Sequence, residues 1–221
     1  MRITMSGPVT AGMIVLTAGS LVGQSADAHR AGERIVLPRA EEIALARSAA
    51  PPDVSRDATV LVFERGRGYR VATDGTNGVV CYVARSQPQA LEPHCFDEEG
   101  ARTVLQIHLR EAELREEGMT EEEIELEIAR GLESGELKLP RRPAMSYMLS
   151  SAQVLYNDEG ERVGAWKPHL MLYWPYLEPG ELGLSETPSL GAGMVVDPGT
   201  PLANLMVVVP EFVDPVAVER P

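Results

Sequence analysis

The chain is poor in positive charge, in aromatic residues and in cysteine, and each shortage narrows what it can do. Twenty Lys and Arg face 33 Asp and Glu, a formal net charge of −13. Without a basic stripe, such a chain repels phosphate backbones and anionic headgroups, which argues against nucleic acid and against a membrane surface. Cationic ligands, basic partners or plain solubility remain. The 221 residues hold only two Trp, six Tyr and three Phe, so large rings are scarce core material. No segment beyond the N-terminus approaches the ~20 apolar residues of a membrane-spanning helix. Local catalytic signatures are missing too: no GxSxG elbow, HExxH helix, Walker loop or complete GxGxxG occurs. Gly66-Arg67-Gly68 and Gly191-Ala192-Gly193 read as turns. A spatial triad needs no local signature, so an enzyme stays open.

What is present begins with an export signal. Arg2 precedes an apolar, small-residue run from Val9 to Val22, and Ser25-Ala26-Asp27-Ala28 offers small residues where a signal peptidase reads. The run is too short to span a bilayer and too glycine-rich for a core helix. This predicts a signal peptide over 1–28, cleaved after Ala28, and a single mature domain over 29–221. The mature charge is unchanged, because Arg2 and Asp27 leave together. No cysteine lies near the cleavage point, which disfavours a lipid anchor. The destination is the periplasm or the exterior, where Cys81 and Cys95, 14 residues apart, are expected to pair. Closing that loop restrains the unfolded chain by about 3 kcal/mol. A catalytic or metal-binding thiol needs the reduced form, which such a compartment disfavours.

The order of elements predicts an α+β class. Arg39 to Ala50 holds strong helix formers and stops at Pro51-Pro52. ATVLVFE, GRGYRVATDG and VVCYVAR read as three antiparallel strands with turns at Gly66 to Gly68 and Asp74 to Gly78. Alternation places Val79, Cys81 and Val83 on one face, toward the core. Gln87 to Gly100 reads as irregular. Ala101 to Glu117 and Thr120 to Ser134 form a helical hairpin with an acidic outer face. Its second arm opens on a Thr120/Glu123 capping box, carries Ile124, Ile128 and Leu132 at spacing four, and stops at Gly135. Strands resume at AMSYML, AQVLY and ERVGAW, with a turn at Asn157 to Gly160, and end in NLMVVV, which reads as buried. A single domain follows, a mostly antiparallel sheet with a helical hairpin inserted between two groups of strands.

The stretch WKPHLMLYWPYL, Trp166 to Leu177, concentrates the chemistry, with both tryptophans and one of four histidines. Read as a strand, it puts Leu170, Leu172 and Trp174 on the core face and His169, Met171 and Tyr173 on the face that can meet a ligand. A pocket there would take Trp166 and Tyr176 as walls. The same rings are also natural core fillers, and a packed, hydrogen-bonded His169 is the plainer reading. Glu178, Glu181 and Glu186 lie in the following Pro- and Gly-rich loop and offer carboxylates to a hydrolase centred on His169. His94, Cys95, His108, His169 and Met171 have soft-ligand chemistry, but no pair has the spacing of common zinc or copper motifs, so no metal and no cofactor is expected.

The order GTNGVVCYV (75–83), EPHCFDEEG (92–100), the Glu-rich hairpin, PAMSYMLS (143–150) and PHLMLYWPYL (168–177) resembles a group of uncharacterised secreted bacterial proteins. The likeness runs from about Ile43 to Pro210. It implies export and a single domain, and it carries no catalytic residue. The leading expectation is therefore an exported binding or accessory protein, whose partner is a small molecule or an envelope protein. The alternative is a periplasmic hydrolase using His169 with a carboxylate from 178–186. A module for a basic protein is a third reading, marked by salt-sensitive association.

Overall fold

Proline placement divides the first helical region. Strong helix formers build α1 (Arg39–Arg47), and the chain leaves it through a turn that ends at Pro51. Pro52 lacks only an amide that a first helical turn leaves unpaired, so it opens α2 (Pro52–Ser55). The expected stop is also a start. The computed structural model describes residues 34–157, 161–164, 166–185 and 193–216, so the expected cleavage after Ala28 and most of the Asn157–Gly160 turn lie outside the described residues.

β1 (Thr59–Glu64) folds back into antiparallel β2 (Gly68–Thr73) through Gly66, whose φ of 70° suits a residue without Cβ. β3 (Val80–Ala84) departs from the expected antiparallel triplet. It lies on the other side of β1 and runs parallel to it, with Val60 opposite Cys81. The reason is that Asp74 to Gly78 is a crossing and not a hairpin: the chain passes around the start of β1. There Gly75 N–H donates to Thr59 Oγ1 at 3.0 Å and Thr76 N–H to the Asp57 carbonyl at 2.8 Å. A Cβ on Gly75 would stand 2.1 Å from the Thr59 nitrogen, so the crossing requires glycine.

β4 (Glu92–Phe96) is a second departure, because EPHCF looks irregular in sequence. It pairs antiparallel with β3 and sets Cys81 directly opposite Cys95. The Cα atoms are 4.0 Å apart and the expected disulfide is formed. Pro93 is tolerated because the next strand pairs only with Cys95 and Phe96. The helical insertion follows as α3 (Glu98–Arg102), α4 (Val104–Glu116) and α5 (Glu121–Ser134). Its first arm is broken at Thr103, whose hydroxyl donates to the Glu99 carbonyl at 2.6 Å. The Thr120/Glu123 capping box and the left-handed Gly135 stop are both present.

The second group of strands is β5 (Ala144–Met148), β6 (Leu155–Tyr156), β7 (Arg162–Val163), β8 (His169–Tyr173), β9 (Met194–Val196) and β10 (Asn204–Val208). β6 and β7 form a separate ribbon, and the other eight form one sheet in the order β2-β1-β3-β4-β5-β8-β10-β9. Apart from β1 with β3, its pairs are antiparallel. The class is thus α+β, with a mostly antiparallel sheet. The described residues fall in one compact unit, and none of their helices is long and apolar enough to cross a membrane.

Helices cover both faces of the early strands. On one face α1 brings Leu45, Ala46, Ala49 and Ala50 onto Val60, Cys81, Val83 and Cys95. On the other, Ala101, Val104 and Leu105 meet Leu61, Tyr82, Phe96 and Tyr173. α5 then packs outside α4, joining Ile124 and Ile128 to Ile107 and Leu114. Each fully buried aliphatic or Phe side chain here contributes roughly 1.5–3 kcal/mol. The far strands differ: NLMVVV, expected to be buried throughout, is fully buried only at Asn204 and is half-buried or exposed from Leu205 to Val208.

Candidate functional site

In WKPHLMLYWPYL the two faces of the strand are the reverse of the expected ones. His169 is 2% exposed and Tyr173 is buried, while Leu170 and Leu172 are half-buried and Trp174 is 58% exposed. Tyr173 faces inward because α3 and α4 cover that side through Ala101, Val104 and Leu105. His169 Nδ1 lies 2.7 Å from the Lys167 carbonyl, and burial holds its pKa below the usual histidine value. Buried and bonded to backbone, it has the surroundings of a packed histidine. Met171 is half-buried and accepts from the Tyr173 hydroxyl at 3.7 Å. Trp166 and Tyr176 are 51% and 57% exposed, and Trp166 meets His169 edge-on at 6.5 Å. Glu178 and Glu181 cap a short 3-10 turn, Glu181 accepting from the Glu178 amide; neither bonds to His169. Glu186 lies outside the described residues.

A different set of polar groups does converge. The disulfide register that places Cys81 against Cys95 also places Tyr82 against His94 on the opposite face. α4 lies over that face and lowers His108 and Glu111, three apart, toward it. Together they line a cavity of about 220 Å³ whose rim adds Arg85, Glu92 and Arg115. His94 is 6% exposed, stacks parallel to Phe96 at 5.7 Å, and stands 5.7 Å from the Tyr82 ring and 6.2 Å from His108. Tyr82 Oη is 3.2 Å from His108 Nδ1.

Burial sets the protonation states. The Tyr82 phenol is pushed well above its ordinary value by desolvation, so it keeps its proton. His108 is pushed down to about 4, by burial first and by Arg115 second, and His94 lies well below the usual value, by burial first and by its interaction with the other histidines, His108 and His169, second. Both rings are neutral at pH 7. The phenol proton matches a lone pair on Nδ1, and on that basis we assign His108 the Nε2–H tautomer. Glu111 is raised by burial, partly offset by Arg115.

The charges at the rim are already engaged. Arg115 holds Glu121 with two bonds of 2.8 and 2.9 Å. Arg85 stands 3.0 Å from Glu42, which is fully buried and accepts from the Phe63 amide at 2.9 Å. That ion pair is close but poorly aligned, since Arg85 Nη2 makes no hydrogen bond. The Ser86 hydroxyl donates to Glu92. Inside the rim, the phenol and the two imidazoles present neutral polar atoms to the cavity. One is unusual: His94 Nδ1 is buried with no hydrogen-bond partner, a state that costs about 1–3 kcal/mol unless something fills it.

His94 and His108 entered the sequence reading only as members of a discarded metal set. Cys95 is committed to the disulfide, and among the described residues no three His, Cys, Asp or Glu side chains stand together as a cation site. The available signal was the disulfide: pairing Cys81 with Cys95 across neighbouring antiparallel strands makes Tyr82 and His94 neighbours. Comparison with known proteins finds no matching family, no matching curated protein and no matching solved structure.

Proposed function

We propose that the chain is an exported binding protein whose ligand is a small, neutral, polar molecule held by Tyr82, His94, His108 and Glu111. The observation that carries this reading is the convergence of Tyr82, His94, His108 and Glu111 on one cavity, with His94 Nδ1 buried and without a hydrogen-bond partner. A ligand hydroxyl or amide supplies the missing partner there without asking a net charge of the site. Export is supported by the apolar Val9–Val22 run before Ala28, by the likeness to secreted proteins, and by a disulfide of the kind that persists in oxidising compartments. A hydrolase centred on His169 draws no support from a ring that is buried and bonded to a backbone carbonyl.

Thermal-shift and calorimetric titration with neutral sugars, polyols and zwitterionic amino acids tests the site in the wild type and in His94→Phe. A true ligand at 100 times its Kd stabilises the protein by about 2.7 kcal/mol, and His94→Phe weakens it at least tenfold. A screen without any shift, or a shift undiminished in the variant, rejects the cleft. N-terminal sequencing of the protein recovered outside the cytoplasm tests export, with His29 expected first.

A further inference from the structure

The net charge conceals a local exception beside the exposed indole. Lys138, Arg141, Arg142 and Arg102 gather where the chain leaves α5 and enters β5. Two of these cations are neutralised: Arg102 and Arg142 both bind Glu99, at 2.9 and 3.2 Å, and both approach Glu98. Lys138 and Arg141 are exposed and have no ion-pair partner among the described residues. Four cations against two carboxylates leave a local charge of +2 on a chain of −13.

These groups line two pockets, about 540 and 360 Å³, that share Arg141 and Arg142. The second pocket is lined by Trp174 together with Pro140, Pro143 and Pro175. Prolines restrict the backbone on either side of Arg141 and Arg142 and after Trp174, which limits the main-chain freedom lost on binding. An exposed indole face stacks against flat apolar surfaces, and Arg reads carboxylates through its planar fork. The flanking strands β5 and β8 are both interior to the sheet, so no free strand edge is offered and an extended peptide cannot add to it. Long polyphosphates are repelled by the remaining surface.

From this juxtaposition of Trp174 and Lys138 in two pockets that share Arg141 and Arg142, we propose a second binding site, for an acidic oligosaccharide with carboxylate-bearing rings. One ring stacks on Trp174 while its carboxylate meets Arg141 or Arg142, and the next residue of the glycan extends toward Lys138. The site is separate from the histidine cleft and does not depend on it.

Calorimetric titration of the full chain with a trisaccharide of uronic acids, a neutral trisaccharide and triglutamate at low ionic strength tests the assignment. Lys138→Gln/Arg141→Gln and Trp174→Ala are the informative variants, because none of these side chains braces the fold through an ion pair or a buried contact, and Tm verifies that they remain folded. The uronic trisaccharide is expected to bind, to weaken with added salt, and to lose at least tenfold in affinity in each variant and when its carboxylates are absent. Failure to bind the uronic trisaccharide, or binding unchanged in both variants, overturns the site. Triglutamate binding as tightly as the glycan with no loss in Trp174→Ala overturns the sugar assignment.

Discussion

The two ends of the sheet are built on different plans. β1, β3 and β4 lie between α1 on one face and the α3–α4 arm on the other, and a disulfide joins β3 to β4. Their central residues are buried on both faces. At the far end β8 buries only its first and last residues, β10 only its first, and β9 none. Polar chemistry differs in what it leaves outside: at the closed end the His94 imidazole, the Tyr82 phenol and the Arg85–Glu42 pair are withdrawn from water, whereas toward the open end His169 and Tyr173 are buried but Trp174 and Arg141 stand in water. Enclosure shifts protonation and invites a small neutral ligand; exposure leaves rings and charges free for a larger, charged one.

The largest expected effect tests how well the closed end is sealed. Arg85→Met leaves the Glu42 carboxylate buried without its counter-charge, and a loss of about 3–5 kcal/mol in urea unfolding is expected. Arg141→Met, at the open end, should change stability by no more than about 0.5 kcal/mol. Adding Glu42→Gln to Arg85→Met should restore much of the loss, because no unpaired charge then remains. Equal costs for the two arginines would erase the contrast between the ends.

A smaller effect depends on pH. The folded pKa of His108 is about 4 against an ordinary 6.5, so below pH 6.5 the unfolded chain takes up a proton that the folded chain refuses. Stability supplied by the neutral ring is therefore full above about 6.5 and declines as pH falls toward about 4. The decline attributable to His108 is on the order of 3 kcal/mol. His94 adds in the same direction, while Glu42 and Glu111, raised by burial, slope the opposite way. The difference between wild type and His108→Phe across this window isolates the ring. His169→Phe should flatten the profile less, because the Lys167 carbonyl raises its pKa against the effect of burial. A His108→Phe profile parallel to the wild type would mean the cleft is wet and its histidine ordinary.

At the closed end the local features were legible and the non-local ones were not, for physical reasons. Helix caps, apolar spacing along α5 and the pairing of two cysteines 14 residues apart are local rules, and the Thr120/Glu123 box, Ile124, Ile128 and the Cys81–Cys95 bond obey them. Strand order is not local: Gly75 was visible as turn chemistry, but that the turn passes around β1 depends on contacts with Asp57 and Thr59, far back in sequence. The inner face of β8 was unreadable because both faces carry large apolar residues, and the choice was made by helices from another part of the chain. Net charge failed for the same kind of reason, since it averages away the island at Lys138 and Arg141. His94 and His108, 14 apart in sequence, share a cavity only because β4 is a strand, in a segment whose sequence reads as irregular.

The smallest effect separates stability from binding at the open end. Trp174 holds the sheet mainly through its backbone, whose N–H donates to the Ala203 carbonyl at 2.9 Å, while its ring is mostly in water. Trp174→Ala keeps that bond and should cost no more than about 1 kcal/mol, far below the roughly 3–5 kcal/mol typical of a buried aromatic. A measured loss in the buried range would make the indole a packing element and close the far end of the sheet after all. A small loss leaves one of only two tryptophans with little structural duty, in a pocket it shares with Arg141 and Arg142. A lone exposed ring needs no explanation by itself, so it is a loss of glycan affinity in the same variant at nearly unchanged stability that separates recognition from incidental exposure.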